Sequence, residues 1–152
     1  MSFPSSRHRS STRCRAGAGS STNSVLLDLV PGAFGALFGP TGAVIIQAGN
    51  GAAVAVGVRG TDGAQRFKMA EALSSSDLYL ELTGDTAADV KVVGDPSSVV
   101  LSLGSGPDSF NAQDTRSLTF LAAPLTLRAV VSEPLPVYGG AGPDTLEGGN
   151  GN

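Results

Sequence analysis

One nonapeptide constrains this chain more than any other stretch. It reads Gly139-Gly140-Ala141-Gly142-Pro143-Asp144-Thr145-Leu146-Glu147, and Gly148-Gly149-Asn150-Gly151-Asn152 starts the same pattern again. Glycines allow a backbone to turn through positive φ and to approach another chain closely. The aspartate adds a carboxylate, and the apolar residue two places later suits a short inward-facing strand. Leu103-Gly104-Ser105-Gly106-Pro107-Asp108-Ser109-Phe110-Asn111 repeats the pattern with leucine for the first glycine. A fainter echo, Gly60-Thr61-Asp62-Gly63-Ala64-Gln65-Arg66-Phe67, carries Gln65 at the aspartate position. Asp108 and Asp144 lie 36 residues apart, which is four nonapeptides, yet residues 112–138 contain no glycine and cannot form four more such turns.

The G-G-x-G-x-D pattern followed by an apolar residue resembles the RTX (hemolysin-type) calcium-binding repeat family. The resemblance implies a parallel β-roll whose stacked turns hold Ca²⁺ between backbone carbonyls and aspartates of two neighbouring turns. It nominates Asp144, with Gly139, Gly140 and Gly142 shaping the loop and Leu146 packing inward. Asp108, among Gly104 and Gly106, is the second candidate. Such repeats stay unfolded until the ion offsets the repulsion between carboxylates. Gln65 offers only a neutral carbonyl, so an ion there would be held poorly. The second copy breaks off one residue before its aspartate, so the likeness is to an N-terminal fragment or a truncated member. RTX relatives are secreted through a signal at the C-terminal end, and an extracellular location without an N-terminal signal follows from the likeness.

Composition agrees with a cation as partner. Four of the ten basic residues, Arg7, Arg9, Arg13 and Arg15, precede every acid, leaving residues 16–152 with six basic against thirteen acidic side chains. An acidic, glycine-rich body argues against nucleic acid. Cys14 is the single cysteine, so no internal disulfide is available, and metal is an alternative staple. Residues 1–24 are rich in Ser and Arg and poor in apolar side chains, which predicts a disordered tail superficially like a transit peptide. Residues 25–138 form the expected β-rich domain, and 139–152 the glycine-rich repeat. Residues 29–46 carry no charge, but Pro31, Pro40 and four glycines break any membrane helix there, so no span is expected.

From residue 43 the pattern is β: Ala43–Gln47, Ala53–Val58, Val90–Val93 and Val99–Leu103 are rich in β-branched residues. Asp77–Leu82 alternates apolar and polar residues, and Gly84, Gly94 and Gly104 punctuate the strands ten residues apart. Ser117–Leu121 and Leu125–Val131 add two more strands. Residues 65–73 read equally as a helical turn or two, because Phe67, Ala70 and Leu73 recur every third place. The fold expected is all-β, either a short-strand solenoid like a β-helix or β-roll, or a sandwich-like meander.

Catalytic parts are missing from the sequence. His8 is the single histidine and lies in the tail, so no Ser–His–Asp triad or histidine-ligated zinc site can be built, and no phosphate-binding loop occurs. Asp85, Asp89 and Asp95 read as solvated turn formers. The expected function is a non-enzymatic calcium-binding structural and export module. The alternative is a calcium-independent β-rich module that contacts a cell surface or matrix, with the glycine-rich end as a linker. One complete nonapeptide supplies one carboxylate, so residues 139–152 are expected to be disordered or merely turn-like, with millimolar or weaker calcium affinity.

Overall fold

The computed structural model describes residues 10–15, 23–30, 41–47, 53–113, 118–130 and 135–150, and it is all-β, with no helix among them. In chain order the strands are β1 (Ser10–Arg15), β2 (Asn23–Asp28), β3 (Gly42–Gln47), β4 (Val54–Arg59), β5 (Arg66–Ala72), β6 (Leu78–Glu81) and β7 (Val90–Val93). There follow β8 (Ser98–Ser102), β9 (Ser109–Asn111), β10 (Thr119–Phe120), β11 (Ala123–Pro124), β12 (Leu127–Arg128), β13 (Val137–Tyr138) and β14 (Thr145–Glu147).

Two sheets share one core. The smaller, in the order β13-β8-β4-β2, is wholly parallel. The larger runs β1-β3-β7-β6-β5-β9-β14, with β12 pairing β5 as well, and β10 and β11 form a separate ribbon. Within the larger sheet β5-β6-β7 is an antiparallel meander, flanked on each side by parallel pairs. In β4, Val54, Val56 and Val58 turn inward at period two. With Val99 and Leu101 of β8 they meet Val44, Ile46, Phe67, Met69, Leu80 and Val92 of the larger sheet. Each such side chain contributes roughly 1.5–3 kcal/mol on burial.

Several sequence-based expectations change here. Residues 66–72 are strand β5, not a helical turn, because Phe67 and Met69 face the main core while Ala72 faces a second cluster. That cluster joins Ala72, Tyr79 and Ala88 to Phe120, Leu125 and Leu127, with Tyr79 and Phe120 edge to face at 5.4 Å. It covers the outer face of β6, so all four β6 residues are buried although their sequence alternates. The strands expected at 117–121 and 125–131 shrink to the two-residue β10 and β12. Residues 139–150, expected to be disordered or turn-like, include β14, which pairs in parallel with β9. The entropy cost of ordering a lone glycine-rich loop is offset here because the neighbouring strand β9 templates it.

Residues 10–15, inside the expected tail, form β1 against β3. Much of the apolar stretch 29–46 lies outside the described residues, and its end is strand β3. No helix among the described residues is long and apolar enough to cross a membrane.

Candidate functional site

Strand pairing brings the three glycine-rich segments into one stack. Turn 60–65 joins β4 to β5, turn 103–108 joins β8 to β9, and turn 139–144 joins β13 to β14. Before the turns, Arg59 pairs Ser102 and Ser102 pairs Tyr138; after them, Arg66 pairs Ser109 and Ser109 pairs Thr145. With both flanks fixed and the turns equal in length, the positions align one to one. Gly60, Leu103 and Gly139 form one row, Thr61, Gly104 and Gly140 the next, and Gln65, Asp108 and Asp144 the last. The 36-residue spacing is therefore one circuit of the chain rather than four short repeats.

Backbone bonds tie the tiers together. Ser105 N donates to Thr61 O at 3.2 Å, Ala141 N to Gly104 O at 3.2 Å and Gly106 N to Ala141 O at 2.7 Å. The aspartates make a second ladder. Asp108 Oδ1 accepts from Gln65 N at 2.9 Å, and Asp144 Oδ1 accepts from Asp108 N at 3.1 Å. Each carboxylate thus reaches back to the equivalent residue one tier earlier.

The glycines are required by this approach. Gly104 and Gly140 have φ of 105° and 94°, conformations that side-chain-bearing residues rarely adopt. A Cβ on Gly104 would collide with the carbonyl oxygen of Thr61, one on Gly140 with that of Gly104, and one on Gly142 with that of Gly106. Each tier's carbonyls therefore rest on the glycines of the tier that follows.

Asp108 is only 2% exposed, and its Oδ2 has no hydrogen-bond partner. Desolvating a carboxylate oxygen without a partner is costly, and a cation at that atom would offset the cost. Asp144, on the last tier, is half-buried. Leu146 is in register with Phe110 and Phe67, which are buried, yet it is 48% exposed because no described strand lies beyond it. The glycines of the second copy, Gly148 and Gly149, do not extend the turn stack. Asn150 N donates to Val130 O at 2.9 Å, and a Cβ on Gly149 would meet that same carbonyl.

Among the described residues no three His, Cys, Asp or Glu side chains converge on one point. A cation in the stack would be held by turn carbonyls and one or two aspartates, which is hard-oxygen chemistry suited to Ca²⁺. The unpartnered Oδ2 of Asp108 and the close carbonyl approach at the glycines fit that ion. An open groove of about 600 Å³ runs along the outside of the stack, past Gln65, Asp108, Ser109, Pro107 and Pro143.

A second acidic site escaped the sequence reading. Glu81, at the end of β6, is fully buried, and its Oε1 accepts from the amides of Thr83, Gly84 and Asp85. Asp89, expected to be a solvated turn former, is also fully buried; its Oδ2 accepts from Leu82 N at 2.7 Å. Glu81 Oε2 and Asp89 Oδ1 have no hydrogen-bond partner. Burial pushes the Asp89 carboxyl up to about 7, and the charges of Glu81 and Asp85 push the same way. Burial raises Glu81 as well. Asp85 keeps its turn-forming role, accepting from Ala87 N at 2.6 Å, and Asp95 is exposed.

No family model, no curated protein and no solved structure matches this chain.

Proposed function

We propose that this chain is a calcium-binding structural module of a secreted, RTX-like protein, built as a short parallel β-roll and without catalytic activity. The ion belongs within the turn stack, with Asp108, whose carboxylate reaches back toward turn 60–65, as its principal carboxylate. Asp144 and the carbonyls around Gly104, Gly106, Gly139, Gly140 and Gly142 complete the oxygen set. The observation that carries this reading is the in-register stack of three motif copies, with Asp108 buried in it and one oxygen unpartnered. Calcium supplies charge neutralisation there, holding adjacent tiers together where the fold places acidic side chains in a row. Outside the cell, where calcium is abundant, such a module is held folded.

One observation favours the calcium-independent alternative of a β-rich surface or adhesion module. Asp108 and Asp144 already accept backbone amides, so part of their negative charge is offset without any ion.

Calorimetric titration and thermal melting of the full chain in chelator and in millimolar Ca²⁺ separate the two. Calcium is expected to raise the melting temperature of the wild type, and Asp108→Asn to abolish the response, while Asp28→Asn leaves it intact. No calcium response in the wild type would favour the alternative.

A further inference from the structure

Two carboxylates lie together outside the turn stack. β6 and β7 run antiparallel with Leu80 opposite Val90, which sets Glu81 and Asp89 opposite each other one place further on. Period two puts Glu81 on the side of β6 that carries Tyr79, away from the main core. Both acids are 0% exposed, and the turn joining the two strands folds back onto them. Glu81 Oε1 accepts from Thr83 N at 2.7 Å, from Gly84 N and from Asp85 N at 3.1 Å, while Asp89 Oδ2 accepts from Leu82 N at 2.7 Å. The Thr83 hydroxyl lies 3.4 Å from Glu81 Oε1 and 3.4 Å from Asp89 Oδ2, so it bridges the pair. Each carboxylate thus has one oxygen tied to the turn. The other, Glu81 Oε2 or Asp89 Oδ1, is buried with no hydrogen-bond partner.

We infer that Glu81 and Asp89 form a second cation site, separate from the turn stack, which takes a small divalent ion such as Mg²⁺ or Mn²⁺. Three backbone amides on one oxygen favour the ionised form of Glu81, and a buried anion needs a counter-charge. Lys68 is in register with Glu81 on β5, and one ammonium balances one of two carboxylates; Oε2 and Oδ1 are still without partners. Asp85, on the turn, adds to the negative charge. A divalent ion neutralises both carboxylates and gives both free oxygens a ligand role at once. Its size follows from the donor count. Ca²⁺ takes about six to eight oxygens, more than two carboxylates and a hydroxyl supply. Mg²⁺ and Mn²⁺ are held by one or two carboxylates and fill the remaining positions with water. Residues 83–86, between the pair and solvent along the chain, are exposed. Burial raises both carboxyls, Asp89 to about 7, against the lowering by their amides, so proton and ion compete for the pair.

The test uses the full chain, melted at pH 8 and pH 5 in chelator and in millimolar Mg²⁺. At pH 8, Mg²⁺ at roughly ten to a hundred times its dissociation constant is expected to raise the melting temperature by about 3–10 °C. At pH 5 the gain is expected to be much smaller, because Asp89 then holds its proton. Asp89→Asn and Glu81→Gln, each keeping an oxygen for the turn amides, are expected to lose the response at pH 8. Asp108→Asn, which removes the principal carboxylate of the turn stack, is expected to keep it, so this inference and the calcium reading fail separately. Mn²⁺ locates the ion: in Asp108→Asn it is expected to broaden the amide resonances of Leu82, Thr83 and Asp85 first. A wild type indifferent to Mg²⁺ at pH 8 would overturn the inference and leave the pair holding a proton alone. A response undiminished in Asp89→Asn, or lost in Asp108→Asn, would overturn it by placing the ion elsewhere.

Discussion

Replacing Asp89 with asparagine should stabilise the protein strongly at alkaline pH and much less at mildly acidic pH. Asp89 sits between β6 and β7, fully buried, with Leu82 N on one oxygen and nothing on the other. Its carboxyl is pushed from 3.8 to about 7 by burial, with Glu81 and Asp85 adding their repulsion. Between those two values the folded chain holds a proton that the unfolded chain has released. The stability from this group is therefore complete below pH 3.8 and is lost progressively as the pH rises towards and through 7. At about 1.4 kcal/mol per pH unit, the loss reaches at most about 4 kcal/mol by pH 8. Asparagine never ionises, keeps an oxygen for Leu82 N and places an NH₂ where the unpartnered oxygen was. Melting in chelator at pH 5 should show the variant ahead by only about 1–2 kcal/mol, because the folded Asp89 still holds the proton and only the unfolded chain has released it. At pH 8 the variant should melt higher, by up to roughly 10 °C for a chain of this size. A difference in melting temperature that is the same at both pH values would refute the reasoning. So would a variant that is weaker at pH 8 than at pH 5, relative to wild type, since the ionised carboxylate would then be stabilising.

Other substitutions probe the stack. Gly140→Ala should uncouple the last tier, because the new methyl group meets the Gly104 carbonyl at a φ of 94°; hydrogen exchange at Thr145 N, which donates to Asp108 O, should lose its protection. Gly94→Ala is the control: its φ is 80° but nothing lies within 4 Å, so only about 1–2 kcal/mol of backbone strain is expected from chemical denaturation. Phe110→Ala, in the core at 2% exposure, should cost about 3–5 kcal/mol, and Leu146→Ala, in the same row but 48% exposed, roughly 1 kcal/mol. Equal costs would mean that Leu146 is covered in solution.

The turn stack was legible because its chemistry is local. Gly104 and Gly140 need positive φ and tolerate no Cβ, and that requirement leaves the same spacing in the two clear copies, whereas the faint one ending at Gln65 has Thr61 at that place and shares only Gly63 with Gly106 and Gly142. The length of the circuit between copies was not legible, since strands of any arrangement can return a chain to the next tier. Helix or strand over 65–73 stayed open because β5 is covered on both sides, which removes period-two alternation. Glu81 and Asp89 were missed for the same reason. Their burial comes from the distant cover of Phe120, Leu125 and Leu127 over β6 and its surroundings, and no residue near Asp89 announces it. The one available signal was Glu81 followed by Thr83-Gly84-Asp85, a carboxylate placed before a turn whose amides can fold back onto it.

The circuits that link the turns are unequal: Gln65 to Asp108 spans 43 residues, and Asp108 to Asp144 spans 36. The extra length goes into the antiparallel meander that the first circuit makes through β6 and β7 and the second does not. The alignment of the turns is thus insulated from the chain length between them. A lineage built on this plan can lengthen, shorten or decorate a circuit without disturbing the alignment of its turns. New surfaces for recognition can then arise beside a fixed spine.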